Sequence, residues 1–290
     1  MKLSYFYNQV VKFGAQRDPR INKKKIKSYP DTAILYGNPG KEIKKIMVGI
    51  DIEVAELLLA DRIRGRVGLD LVVSHHPEGR AYAALHEVMR LQVDLLKEMG
   101  ISENTAQKLL DERRREVERK VLPQNHTRPV DAARLLDLPF MCIHTPADNY
   151  AFWFVNRLME QKKPDTVQDI VDILMDIPEY QLAAKNLVGP RIILGSSKRS
   201  VGKILVEMTG GTEGSKEVFD KLYKVGVRTL ISMHLSEEHF KKVKDANLNA
   251  VIAGHISSDT LGLNLLLDRI EEKERLQIIS CSGFNRIRRK

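Results

Sequence analysis

The chain has little cysteine, no long apolar run, and no aromatic residues set among its basic runs, and each absence removes a class of protein. Two cysteines in 290 residues, Cys142 and Cys281, lie far apart in apolar stretches. They read as buried thiols of a reducing compartment, not as a disulfide framework. No stretch approaches the roughly 20 apolar residues of a membrane span, and the opening MKLSYFYNQVVKF lacks the apolar core of a signal peptide. A cytoplasmic protein without a membrane partner is the expectation. The formal charge of +9 favours anionic partners, but the basic runs Ile21 to Lys27 and Arg286 to Lys290 carry no interleaved aromatics on which bases could stack. Nucleic-acid binding is therefore expected to be weak and non-specific at most.

What is present is a repeated order of strands and helices. Residues 45 to 76 read as strand KIMVGID, helix EVAELLLADRI and strand LDLVVSHH. After a long helical excursion comes strand FMCIH and helix NYAFWFVNRLMEQ. The second half runs through strand KILVEM, a Gly-rich turn, strand RTLISMH, strand NAVIAGH and strand LQIISCS, with helical patterns between them. Alternation of this kind predicts an α/β fold of two related lobes, each a mostly parallel sheet flanked by helices. The first lobe is read as residues 1–160 with a helical insertion at about 81–130, and the second as 161–290. In the insertion, Asp111–Arg115 and Glu116–Lys120 are spaced as helix-stabilising pairs, and DERRREVERK reads as a solvated helix. Pro164 and Asp165 mark the stop between lobes.

The halves share chemistry as well as order. In each, the third strand runs into His-x-x-x-Asp, His144 to Asp148 and His255 to Asp259, and the strand before it ends on histidine, His75-His76 or His234. Ligands in open α/β sheets gather outside the carboxyl ends of strands, where His75, His76, Asp148, His255 and Asp259 all fall, outside the core. Neighbours on a regular strand point to opposite faces, but Pro77 ends the strand and lets His75 and His76 converge. Imidazole and carboxylate without cysteine suit divalent zinc, iron(II) or manganese better than an iron–sulfur cluster. The loop Gly210, Gly211, Thr212, Glu213, Gly214, Ser215 either cradles a phosphate on its N–H groups or is a tight strand-to-helix turn. His144 and His239 are candidates for orienting ligands or moving protons. His86 and His126 read as structural.

His75-His76-Pro77, HTPAD at 144–148, GGTEGS at 210–215, GHISSD at 254–259 and the opening DTAILYGNP followed by KKIMVGID together resemble the Nif-three-like family of dinuclear metal-centre proteins. The resemblance spans nearly the whole chain. It implies a two-lobed fold, commonly assembled as a homo-oligomeric ring of six, with His75, His76, Asp148 and His255 matching metal ligands. The resemblance also implies two metal ions near the lobe interface, but Asp259 stands where the family usually has glutamate, one methylene longer, so its power to bridge them is in question and one or two divalent ions per chain are expected. The connection from Pro77 to Leu138 is longer than the family's usual one. By resemblance the function is metal-dependent hydrolysis of a nucleotide or other phosphate-containing small molecule, of GTP cyclohydrolase type 2 kind. The competing class is a non-catalytic metal-binding protein that recruits a protein or nucleic-acid partner.

Overall fold

The computed structural model describes residues 1–20 and 23–289. Ile21 and Asn22 of the first basic run and Lys290 of the tail lie outside the described residues. Strands β1 (Ala33–Tyr36), β2 (Lys45–Gly49), β3 (Leu71–Ser74) and β4 (Phe140–Cys142) belong to the first half. In the second lie β5 (Arg191–Leu194), β6 (Lys203–Glu207), β7 (Val227–Ser232), β8 (Asn249–Ile252) and β9 (Gln277–Ser280). The sheet orders are β1-β4-β3-β2-β9 and β5-β8-β7-β6. Within each, the three inner-half strands run parallel and the first strand pairs antiparallel at the edge, with a register irregularity at the same place, Ile34/Tyr36 and Ile192/Leu194. Apart from β9 the two halves are the same sheet built twice. β9 crosses back to pair with β2, so the first sheet is completed by the end of the chain.

The reason these segments are strands is visible in their burial. β3 and β4 are buried at every position, as runs of β-branched and apolar residues in a sheet covered on both faces should be. β5, at an edge, alternates exposed and half-buried residues instead.

Helices Thr145–Lys162 and His255–Glu271 follow β4 and β8 and pack on one another between the sheets. Ala147, Tyr150, Leu263 and Leu266 join the core of the first sheet with Val48, Val73 and Met141, whereas Ala151, Val155 and Leu261 join that of the second with Val206, Ile231 and Val251. Each fully buried large aliphatic side chain contributes about 1.5–3 kcal/mol. The helices approach so closely at Gly262 that a Cβ there would lie 2.3 Å from the Ala147 carbonyl oxygen. Any side chain at 262 would push the pair apart.

The inserted segment is five helices, Gly79–Ala83, Leu85–Val88, Leu91–Glu98, Glu103–Val121 and Arg128–Leu135. The charged 103–121 helix buries one face, Ala106, Leu110, Val117 and Val121. Part of that face packs not on its own sheet but on Leu205, Phe219 and Leu222 of the second half. Glu116 pairs with Lys120 at 2.8 Å as its spacing suggests, but Asp111 pairs with Arg114 at 3.2 Å and not with Arg115. The helix is not wholly solvated: Arg113 and Arg114 turn inward and donate to the carbonyls of Glu213 and His86, both at 3.1 Å. No helix among the described residues is long and apolar enough to cross a membrane.

Candidate metal centre

β3 stops at Ser74, so His75 and His76 lie in the turn beyond it. The Ser74 hydroxyl donates to the His76 carbonyl at 2.7 Å, and the amides of His75 and His76 donate to the carbonyls of Gly49 and Ile50, both at 2.9 Å. This turn brings the two imidazoles to the same side, ring centroids 5.3 Å apart. The two His-x-x-x-Asp motifs sit on the first turns of helices, not on strand ends: His144 caps the 145–162 helix and His255 begins the 255–271 helix. Four residues on, Asp148 and Asp259 lie on the same helix faces as their histidines. Because the two helices pack together, both carboxylates reach one buried point.

That point is His75. Its Nε2 lies 3.3 Å from Asp148 Oδ1 and 3.4 Å from Asp259 Oδ1. The other Asp259 oxygen faces His76 Nε2 at 3.4 Å and His255 Nε2 at 3.6 Å, and His144 Nε2 is 3.7 Å from Asp148 Oδ2. Asp259, though shorter than glutamate, thus addresses histidines on both sides, because the close helix contact at Gly262 carries its backbone inward. His75 was expected outside the core; it is fully buried, since the helix pair closes over the strand end.

Three of these rings are aimed by groups behind them. His75 Nδ1 meets the Ile143 carbonyl at 2.9 Å, His76 Nδ1 meets Asp51 at 2.6 Å, and His144 Nδ1 meets Asp31 at 2.8 Å. A carbonyl or carboxylate at Nδ1 holds the proton there and turns an Nε2 lone pair inward, the arrangement that prepares imidazole for a metal. The Thr145 hydroxyl donates to Asp31 at 2.6 Å and fixes that carboxylate in turn.

The buried polar atoms left without a hydrogen-bond partner include His75 Nε2, Asp148 Oδ1 and Asp259 Oδ2. Their mutual approaches are ion-pair distances rather than aligned hydrogen bonds. An unsatisfied buried polar atom costs about 1–3 kcal/mol, and three in one cluster around His75 fit a bound cation. Ligand atoms of His75, His76 and Asp259, and of His75, His144 and Asp148, lie within 4.8 Å of one another in each group, so the donor set fits a divalent metal.

Without metal the electrostatics are those of trapped protons. Burial alone would lower His75 and His76, but the facing Asp259 and Asp148, with Asp51 behind His76, raise them to about 10 and about 9. Burial would raise Asp148 and Asp259, and the surrounding histidines hold both below the usual carboxylate range. His255 goes the other way, lowered by burial.

The remaining sequence candidates are placed as follows. His239 is buried away from the cluster, with Nδ1 at 2.8 Å from the Ser236 hydroxyl and Nε2 at 3.0 Å from the Gly214 carbonyl, so it braces the GGTEGS loop. Within that loop, Gly210 and Gly211 have φ of +101° and +86°, and a Cβ at either would strike Gln92 or Val88 of the inserted segment. Gln92 Nε2 donates to the carbonyls of Gly210 and Thr212 at 3.0 and 2.7 Å. Ser215 caps a single 3-10 turn. Gly210, Gly211, Gly214 and Ser215 thus form a turn onto which the insertion docks. Four residues enter the site unexpectedly: Asp31 and Asp51 behind the rings, His234, whose ring lies 4.8 Å from that of His255, and Glu213, 3.6 Å from His234. Asp51 follows a parallel strand's carboxyl end, a signal available in the sequence. Asp31 precedes an edge strand, and only its antiparallel direction brings it to the same end. Over the cluster opens a cavity of about 520 Å³ whose floor is His76, His144, His234 and His255.

The fold and site define a class: two-lobed α/β proteins with a histidine–carboxylate centre between the lobes. No protein-family model and no curated protein matches the chain. Among solved structures it is similar to a NIF3 superfamily protein from Sphaerobacter thermophilus, with 29% identity, 95% of this chain and 97% of that chain covered, and a TM-score of 0.81. Reduced HcgD from Methanocaldococcus jannaschii (16% identity, 97% of each chain, TM-score 0.58) and hypothetical protein SA1388 from Staphylococcus aureus (10%, 100% and 99%, 0.54) share the fold. The resemblance read from the motifs is borne out: over nearly its whole length the chain is similar to a NIF3 superfamily protein.

Proposed function

We propose that the chain is a metal-dependent hydrolase of a small molecule, with His75, His76, His144, Asp148, His255 and Asp259 as the metal-holding set. One observation carries the reading: unpartnered buried donors converge directly beneath a cavity of substrate size. A divalent metal held there would supply Lewis-acid chemistry, acidifying water and polarising the attacked group. The chain's own residues do the rest. Asp51, Asp31 and the Ile143 carbonyl hold the imidazoles in one tautomer. Glu207 lines a space of about 50 Å³ beside Asp148 and Asp259, large enough for water, and its Oε2 is buried without a partner. It is placed to take a proton from water in that space.

The basic tail supports a small molecule rather than nucleic acid. Arg286 is paired with Asp268 and Glu271, Arg288 with Glu271, and Arg289 with Glu179. These charges close the molecule's own surface. Exposed Ile193 on β5, with Leu187 and Val188 in the turn before it, supports self-association, with the ring of six as its proposed form, checked by light scattering. The decisive experiment is metal analysis of protein purified without added metal, with turnover of nucleosides, nucleotides and simple phosphoesters. Hydrolysis abolished by chelation and restored by one metal is expected; stoichiometric metal with no turnover of any compound would leave the non-catalytic class in its place.

A further inference from the structure

We infer that the cavity above the cluster selects a planar, amide-bearing heterocyclic substrate with at most one negative charge, and excludes nucleoside di- and triphosphates. This rests on the small-molecule reading above and narrows it.

The cavity's walls come largely from the inserted segment. Tyr82 and Leu85, with Pro77 and Pro129, give flat aromatic and apolar surface, and Gln124 and Asn125 bring amide donors and acceptors to the rim. Its volume, about 520 Å³, lies in the range of small-molecule sites. A mostly polar cavity with one aromatic ring, two prolines and two amides suits a flat ring that hydrogen-bonds at its edge.

Charge decides the rest. Sites for polyphosphate gather arginine, lysine or free backbone N–H groups. Arg128 is the one arginine or lysine among the lining residues, and it is already paired with Glu53 at 2.7 Å. Glu53 and Glu78 also line the cavity, so no arginine or lysine there is free to meet a chain of phosphates. The Gly-rich loop reaches the cavity at Gly211 and Thr212, with its Glu213 carboxylate beside His234. Its glycines face Gln92, Val88 and Leu85. A single anionic group can be taken at the histidine floor; a chain of three phosphates would extend past Glu53 and Glu78 without a counter-charge.

The test uses the full-length, zinc-loaded protein with no free metal, and calorimetric titration with guanine, guanosine and guanosine mono-, di- and triphosphate, a series that changes charge on a constant ring. Guanosine and its monophosphate are expected to bind, with the triphosphate at least ~10-fold weaker, a difference of about 1.4 kcal/mol. Asn125→Ala, in an exposed turn, and Tyr82→Ala should weaken the nucleoside with metal content unchanged. Glu53→Gln, which releases Arg128, should strengthen the triphosphate and leave guanosine as it was. Triphosphate binding tightest in the native protein, or no binding by any member of the series, would overturn the inference. Turnover does not enter this comparison, so failure of the hydrolase reading shows separately, as binding without hydrolysis.

Discussion

The two halves carry the same sheet but unequal chemistry. Ser74 pairs with Gly49 and Ser232 with Glu207, so the frames superpose residue by residue there, and each serine donates to the carbonyl two residues on at 2.7 Å. On that register Met233 stands where the first half has His75, and Thr209 where it has Asp51. Counting on from the strands that pair with those serines, Cys142 and Ile252 are equivalent, so the second half has one extra residue before its histidine. It is Gly254, at φ +109°, a backbone conformation that a side chain strongly disfavours. The consequence is visible in exposure: the His144 side chain is 7% exposed and the His255 side chain 40%. The first half presents buried, braced rings; the second adds a looser one. A duplicated frame specifies where a site lies, and a few substitutions on it decide how tightly each side holds.

The sharpest break of this comparison is His75→Ala. Both candidate ligand groups include His75, so metal binding should be lost altogether, and Asp148 and Asp259 would face each other buried without their shared cationic partner. A loss of about 3–5 kcal/mol in the metal-free protein is expected. Elemental analysis and thermal unfolding check both parts. His255→Ala should do less: it removes the half-exposed ring, so the weaker-bound ion is lost while the first is kept and stability is nearly unchanged. Loss of all metal in this variant would show that the halves hold metal as a unit. Smaller again is Asp51→Asn, which leaves every inward atom in place but weakens the brace behind His76; metal affinity should fall about 10–100-fold by competition with a chelator.

The mildest test is pH. The folded-state values of His75 and His76, about 10 and about 9, lie above the unfolded imidazole near ~6.5. Their ion pairs therefore stabilise the metal-free protein fully below pH ~6.5, and that contribution fades as pH rises through 9 to 10. Metal needs the neutral rings, so its affinity should rise across the same interval. Thermal unfolding with and without chelator should show the metal-free protein weakening from pH 7 to 10 while the loaded protein does not. Parallel curves would place the titrating groups outside the centre.

Much of this was legible in the residues alone. Periodicity places seven of the nine strands, because runs such as KIMVG and LVVS are buried on both faces of a parallel sheet, but misses the antiparallel edge strands β1 and β5; His-x-x-x-Asp at matched positions exposes the duplication. His75, His76, Asp148, His255 and Asp259 were singled out from their places beside strands. Asp31 was not, since its arrival depends on β1 running against its neighbour. The sequence leaves the glycine loop open between cradle and turn, and it does not show that Gln92, more than a hundred residues earlier, packs and hydrogen-bonds on it. What local sequence determines is which segments are extended or helical and which polar residues stand at their ends, because those follow from spacing along one chain. What tertiary structure alone decided is which ends meet: that β9 returns to the first sheet, that the charged helix packs on the second half, and that two helices close to contact at Gly262 set Asp148 and Asp259 on the same imidazole.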